Sequence, residues 1–528
     1  MRNKGYKLGP IDHMYMLNRL QSRKLRDAAL YILTLCLLAA CTPLTPAPST
    51  PAATAIHTPA PTQPAPTDPI TLTILYTNDE HGWMAGVQPD QSAAHLLGLW
   101  RQLESELGSD HFLILSGGDN WTGPAISTWF AGQGMVEVMN AMGYTASVIG
   151  NHEFDFGLDL MQQRIAEADF PFLSANMRYK ANGDSPTDLG IQPYTILDLG
   201  DVQVGLIGLT TTSTPLTTKP VNVAEFDFIA YETALRQVAP EVRKAGADIV
   251  LVPAHLCMGE LVELANQVAD LGIAMFGGGH CNELVTREVG GAVLLEGGSY
   301  MQSFATATFA FDPSSGEVTI VQHDVRYNLN GAADEQVAAI IAHWQAAADA
   351  ELNTVIGYLE KPIAQRSPAM QTLITKAWLA EYPTAQISMT NLGGMRTDLK
   401  AGELTLADIL GVMPFDNVLV EVHLTGEQAV EALTSGNRPA TIGGIHQAAG
   451  KWVWDNSGEP VDMTATYSVL VNDFMYAGGD GFTLLAEYDP AGYNTGINWR
   501  QPVIDWIEAH NSSVAHPLDT AIAQLSSE

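Results

Sequence analysis

The chain has 528 residues, 46% of them hydrophobic and 16% charged, with 47 glycines, which excludes a disordered or fibrous polypeptide and allows more than one folded core. With 58 acidic against 25 basic side chains the formal charge is −33, so a nucleic-acid polymer would be repelled and a small anionic ligand needs local metal or arginine. Two of the four cysteines, Cys36 and Cys41, fall in the first 41 residues; the others, Cys257 and Cys281, are too few for a disulfide scaffold and form either one bridge or two small buried thiols.

Residues 1–41 read as an export segment. Arg19, Arg23, Lys24 and Arg26 precede thirteen uncharged residues, Ala28 to Ala40. As a helix these would rise about 20 Å, short of the ~30 Å hydrocarbon thickness of a bilayer. Leu38-Ala39-Ala40-Cys41 resembles the bacterial lipobox. That resemblance implies lipidation of Cys41 and an extracytoplasmic protein held to a bacterial membrane through a lipid anchor. Residues 42–69 carry nine prolines among threonine and alanine and one acidic side chain, Asp68, the composition of an extended tether.

From residue 70 short β-rich runs alternate with helical stretches: Leu72–Tyr76, Phe112–Leu115, Ser147–Ile149, Val202–Leu209, Asp248–Val252 and Ile273–Phe276. The pattern predicts a layered α/β domain over 70–330, and such folds gather ligands at the carboxyl ends of their strands. The first run enters Asn78-Asp79-Glu80-His81, where residues two apart on an extended backbone face one way, so Asp79 and His81 can share one cation. The second enters Gly117-Gly118-Asp119-Asn120, in which glycines permit close approach and Asp119 has the charge to bridge two cations. The third enters Gly150-Asn151-His152-Glu153-Phe154-Asp155, an amide oxygen, an imidazole and carboxylates behind a glycine turn. His255 follows the apolar run Val250 to Ala254, and Gly277-Gly278-Gly279-His280 follows Met275-Phe276. Each signal alone is commonplace; five in order at strand ends point to a metal constellation.

Together these motifs resemble the signature of calcineurin-like metallophosphoesterases, and specifically of the 5′-nucleotidase family. The resemblance implies a four-layer α/β/β/α domain holding two divalent metal ions, with Mn, Zn, Fe or Co suited to oxygen and imidazole donors. By motif, the first ion takes Asp79, His81, Asp119 and Asn282, and the second takes Asp119, Asn151, His255 and His280. Asn282 departs from the family, which usually has histidine or glutamine there. Two such ions, ~3.5–4 Å apart, activate a water and stabilise the attacking and leaving oxygens of an in-line displacement. The resemblance also implies that His152, oriented by Asp155, stabilises the transition state or protonates the leaving group.

A helical stretch rich in alanine and glutamate is expected to link the domains over 331–355, and a second α/β region follows over 356–528. Its Asn391-Leu392-Gly393-Gly394-Met395-Arg396, Met413-Pro414-Phe415-Asp416-Asn417, Asn472-Asp473-Phe474 and Gly478-Gly479-Asp480-Gly481 resemble the C-terminal nucleotide-binding domain of the same family. That implies a base clamped between Phe415 and Phe474, ribose hydroxyls on Asp480, the base edge on Asn391 and phosphate on Arg396. The family often has further arginines earlier in this domain; only Lys361 and Arg366 lie nearby. The chain is expected to be a monomeric, metal-dependent enzyme that hydrolyses nucleoside 5′-monophosphates, extending to di- and triphosphates or UDP-sugars, with rotation between its domains. The alternatives are a 2′,3′-cyclic-nucleotide phosphodiesterase with 3′-nucleotidase activity, and a non-catalytic nucleotide-binding surface lipoprotein.

Overall fold

The computed structural model describes residues 68–525; the export segment, Cys41 and nearly all of the tether lie outside the described residues. The strand Ile70–Thr77 shows how the sequence builds the first domain. Its alternate residues Ile70, Leu72, Ile74 and Tyr76 face one way into a core between two sheets, and Leu75 faces the opposite way toward helices. The strand lies inside a seven-stranded sheet of order Glu317–Tyr327, Ser303–Asp312, Ile70–Thr77, His111–Ser116, Ala146–Val148, Phe172–Leu173, Ile191–Gln192. It pairs parallel with His111–Ser116 and antiparallel with Ser303–Asp312. A six-stranded sheet stacks on the first, in the order Leu284–Val289, Ala292–Gly297, Met275–Gly277, Ile249–Pro253, Gln203–Ile207, Tyr194–Asp198.

Leu72, Ile74, Leu113 and Leu115 from the first sheet meet Val204, Leu206, Leu251 and Met275 from the second. The helices Ala93–Leu107, Gln133–Met142 and Leu158–Glu167 cover the outer face of the first sheet, and Tyr231–Lys244 and Met258–Gln267 cover the second. The result is the four-layer α/β/β/α stack. All six expected strands are present. The hairpin strands between 284 and 327 were not among them; they close one edge of each sheet.

The helix Glu335–Leu352 starts where the Asp334 side chain accepts the Val337 N–H, a cap that satisfies one of the free donors of the first turn. Trp344 anchors it to the first domain through Nε1 to Glu137 Oε2 at 2.8 Å, and Leu352 meets Leu410 of the second. The second domain is a mixed five-stranded sheet of order Ala440–Gly443, Ile387–Asn391, Thr466–Asn472, Val418–Thr425, Tyr493–Asn498. Leu419 and Leu470 pack on one face; Val420, Val422, Val469 and Val471 pack on the other. Among the described residues no helix is long and apolar enough to cross a membrane.

Candidate active site

The strand ends of the first domain converge on one cavity, and the backbone there is strained. Asp79, His81, Asp119, His280 and Asn282 all sit at positive φ, 55°, 44°, 58°, 73° and 58°, and so does Asp480 of the second domain at 51°. Left-handed backbone costs a non-glycine residue roughly 1–2 kcal/mol, so the surroundings must hold these turns in place. Glu153 does much of this. Its fully buried carboxylate accepts the N–H groups of Asp119 (2.9 Å) and Gly150 (2.7 Å) on one oxygen, and the N–H (2.7 Å) and side-chain amide (3.2 Å) of Asn120 on the other. Asn78 ties a third loop, donating to Asp79 Oδ2 (2.7 Å) and Gly298 O (2.9 Å) and accepting from Gly297 N (2.6 Å). A Cβ on Gly150 would lie 2.3 Å from Asp119 Oδ1, which is why this turn needs glycine.

The imidazoles each turn one ring nitrogen inward. His255 Nδ1 lies 2.7 Å from the carbonyl of Gly117; a carbonyl only accepts, so Nδ1 carries a proton and Nε2 is the nitrogen turned into the site. That Nε2 faces Asp119 Oδ2 at 3.0 Å, Asn151 Oδ1 at 3.2 Å and His280 Nδ1 at 3.3 Å, and His280 Nδ1 lies 2.9 Å from Asn151 Oδ1. Two imidazole nitrogens and two oxygens thus converge, an arrangement that fits a cation once both nitrogens are unprotonated. His81 follows the same logic: Nδ1 donates to Thr122 O at 2.9 Å, leaving Nε2 3.9 Å from both Asp79 Oδ1 and Asp119 Oδ2. In this arrangement His81 Nε2 accepts from the guanidinium of Arg396 at 3.1 Å.

In the metal-free protein a protonated His255 supplies the positive charge beside the buried carboxylates. Burial opposes a charged Asp119, but His255, His152 and His81 hold it well below the usual carboxylate range. Burial also opposes a charged His255, yet Asp119 and Asp79 push it up to about 10, while burial and the His255 charge drive His280 down to about 3. Burial raises Asp79 to about 6. The buried negative charge demands positive charge between these residues, and imidazole and oxygen donors without thiolate fit Mn, Zn, Fe or Co. Two three-residue groups present ligand atoms within 4.8 Å of one another: Asp119 with His255 and His280, and Asp119 with His81 and His152. His152, read from sequence as the acid, therefore also stands within ligand reach. Its Nδ1 is engaged by Asp155 Oδ2 at 2.7 Å. Asn282 lines the cavity as an exposed residue and makes no hydrogen bond among the described residues. Cys257 and Cys281 are bridged, with Cα atoms 5.1 Å apart, tying the loops just beyond His255 and His280.

The second domain supplies the opposite wall of the same cavity, whose volume is about 390 Å³. Phe415 stacks on His152 with ring centres 5.6 Å apart and 21° between planes, and Arg396 lies 5.9 Å over the Phe415 ring. Phe474 lines the cavity and packs on Gly479, so closely that a Cβ there would sit 2.4 Å from its ring. Asp480 accepts from Asn391 Nδ2 at 2.8 Å, and Asn391 Oδ1 accepts from Asn472 Nδ2 at 3.1 Å. Asn391, expected at the base edge, is thus engaged in aiming Asp480. Lining residues that sequence reasoning missed include Thr217, Thr218, Lys219, Tyr300 and Arg438, and it noted Arg366 only as nearby. Arg366 has φ 58° at the turn before the helix Pro368–Glu381, a helix start visible in Ser367-Pro368 but silent about the arginine. Gly436-Asn437-Arg438-Pro439 reads as an ordinary turn.

Residues 355–487 match the model of the 5′-nucleotidase C-terminal domain. A 5′-nucleotidase of Vibrio cholerae is 27% identical over 516 residues, covering 83% of this chain and 90% of that protein. The trifunctional nucleotide phosphoesterase protein YfkN of Bacillus subtilis is 28% identical over 494 residues; these cover 79% of this chain but 32% of that relative, so the chain spans about a third of its length. The crystal structure of a 5′-nucleotidase precursor from Thermus thermophilus shares the fold, with TM-score 0.72 at 23% identity over 84% of this chain and 97% of that one. Residues 355–487 thus match a 5′-nucleotidase C-terminal domain, and along most of its length the chain is similar in sequence and fold to 5′-nucleotidases, which makes it by homology a phosphoesterase of that type.

Proposed function

We propose that the chain hydrolyses nucleoside 5′-monophosphates to nucleoside and phosphate outside the cytoplasm, with di- and triphosphates and UDP-sugars as further substrates of the same pocket. One observation carries the reading: a single cavity joins the cluster of imidazole nitrogens and oxygens around Asp119 to the aromatic and arginine wall of the second domain, and Phe415 stacks directly on His152. Held by Asp79, His81, Asp119, Asn151, His255 and His280, with Asn282 at the edge, two divalent cations would supply Lewis-acid charge to the phosphoryl oxygens and activate water at neutral pH. The remaining work falls to the chain. Phe415 and Phe474 hold the base by its faces, Asp480 accepts from the ribose hydroxyls, and Arg396 and Arg366 pair with phosphate oxygens. Burial disfavours a charged His152, but Asp155 and Asp119 outweigh it and raise its pKa. Protonated and held by Asp155, His152 donates to the 5′-oxygen as that oxygen leaves phosphorus and the water oxygen bonds to it.

The test is phosphate release from AMP, UDP-glucose and 2′,3′-cyclic AMP by purified protein, with Mn²⁺ or after chelation. Release from AMP that needs metal and is lost in Asp119→Ala and His152→Ala supports the reading. Preferential cleavage of 2′,3′-cyclic AMP would replace it with the cyclic phosphodiesterase, and a folded protein that binds adenosine yet releases no phosphate would replace it with a binding lipoprotein. Anchoring through Cys41 is proposed from the lipobox-like motif; Cys41→Ser should release the protein from membranes, and unchanged membrane association would refute that anchor.

A further inference from the structure

The segment around Thr214–Thr217 belongs to the first domain yet reaches both ends of the site. Thr217 O accepts from Asn151 Nδ2 at 3.1 Å, and Thr218 Oγ1 donates to Asp155 Oδ1 at 3.0 Å, the carboxylate whose other oxygen holds His152. The next residue, Lys219, crosses to the second domain, where its Nζ lies 2.8 Å from Asp473 Oδ2. The two side chains are 31% and 15% exposed. Asp473 immediately precedes Phe474, and its other oxygen accepts the N–H of Val418 at 3.3 Å, at the end of the loop that carries Phe415. Of the ion pairs among the described residues, this one alone joins residues before 330 to residues after 355.

We infer that the Lys219–Asp473 ion pair is a positioning latch, which couples the Phe415 and Phe474 platform to the Asp155–His152 pair so that a bound nucleoside aligns His152. The inference deepens the proposed 5′-nucleotidase reading and rests on it. Its chemistry is that of a partly shielded pair: water access is limited on the Asp473 side, and both partners are adjacent in sequence to residues that already touch the site. A latch of this kind acts on alignment, and misplacement of a reacting group by a fraction of an ångström is enough to slow the chemical step.

The experiment compares Lys219→Met, Asp473→Asn and the charge swap Lys219→Asp with Asp473→Lys. Spin labels at Val321→Cys and Val514→Cys, exposed positions of the two domains, report the interdomain distance with AMP present. Each single substitution is expected to broaden that distance distribution and to lower kcat for AMP about ten-fold, with hydrolysis of p-nitrophenyl phosphate, which has no nucleoside, little changed. The swap should restore both readouts, because it rebuilds the pair. Single variants with the distances and kinetics of the unmodified protein would overturn the latch. So would equal losses on both substrates, which would mean damage to the His152–Asp155 pair itself, or a swap as poor as Lys219→Met, which would make Lys219 a direct phosphate contact. If the unmodified protein releases no phosphate from AMP, the functional reading fails, and the distance distributions alone decide the latch.

Discussion

Glu153 offers the sharpest test of how the site is held. Replacing it with alanine removes the acceptor for three backbone N–H groups, those of Asp119, Asn120 and Gly150, in a fully buried position. Each orphaned donor costs about 1–3 kcal/mol, for a loss of roughly 3–9 kcal/mol. An opposing term is present, because burial and then the charge of Asp119 push the Glu153 carboxyl up to about 7. Losing a carboxylate so disfavoured returns about 3 kcal/mol. The net loss for Glu153→Ala is therefore about 0–6 kcal/mol, centred on ~3 kcal/mol, which corresponds to roughly 6–12 °C in Tm for a domain of this size. Glu153→Gln keeps one acceptor oxygen, turns an amide NH₂ toward the other donors, and should fall between the two. Scanning calorimetry measures the order, and Mn²⁺ titration should show at least about ten-fold weaker binding in Glu153→Ala, because the turn carrying Asp119 loses its support. If Glu153→Ala keeps both the Tm and the Mn²⁺ affinity of the unmodified protein, the turns are held by the Asn78 network instead, and the reasoning is wrong.

Three further outcomes follow from the same structure. Removing the Cys257–Cys281 bridge by double serine substitution opens a loop of 24 residues' separation and should cost about 3 kcal/mol, read as a lower denaturation midpoint; an unchanged midpoint would refute it. Glu296 is fully buried with Oε2 making no hydrogen bond among the described residues, and burial pushes its pKa up to about 8. Since an unfolded glutamate titrates near about 4.3, the folded metal-free protein holds the extra proton between these values, and its stability from this group falls as pH rises through that window. Urea midpoints should therefore decline with pH more steeply in the unmodified protein than in Glu296→Gln, and equal slopes would refute the assignment. Arg366→Ala should raise KM for AMP about ten-fold through loss of a charge-assisted contact to phosphate, while adenosine binds as before; weakened adenosine binding would place Arg366 at the nucleoside instead.

Much of the site was legible because its residues sit beside strongly patterned strands. Alternation in Ile70–Thr77 marks a two-faced strand, and Asp79 and His81 must then lie at its carboxyl end. The same logic located Asp119, Asn151, His255 and His280. It could not find Lys219, Tyr300 or Arg438, or give Arg366 a role, because each stands in a turn whose composition would be the same without any ligand. Glu153 was visible in its motif, but nothing local shows that its carboxylate closes onto the turn of Asp119, 34 residues away. For Asn391 the sequence pointed at the pocket and missed that its amide is engaged by Asp480 and Asn472.

By itself, then, the sequence determined the local terms: which segments are strands, where glycine allows a sharp turn, and which donor types stand at each turn, since these depend on backbone sterics and side-chain periodicity over a few residues. Tertiary structure alone decided the rest. The antiparallel strand Ser303–Asp312 enters beside Ile70–Thr77, and the N–H of His280 reaches Asp79 across 201 residues. Arg396 meets His81 across 315 residues, between domains. Such pairings follow from burying two sheet faces and one domain surface at once, a condition on the whole chain that no local window contains.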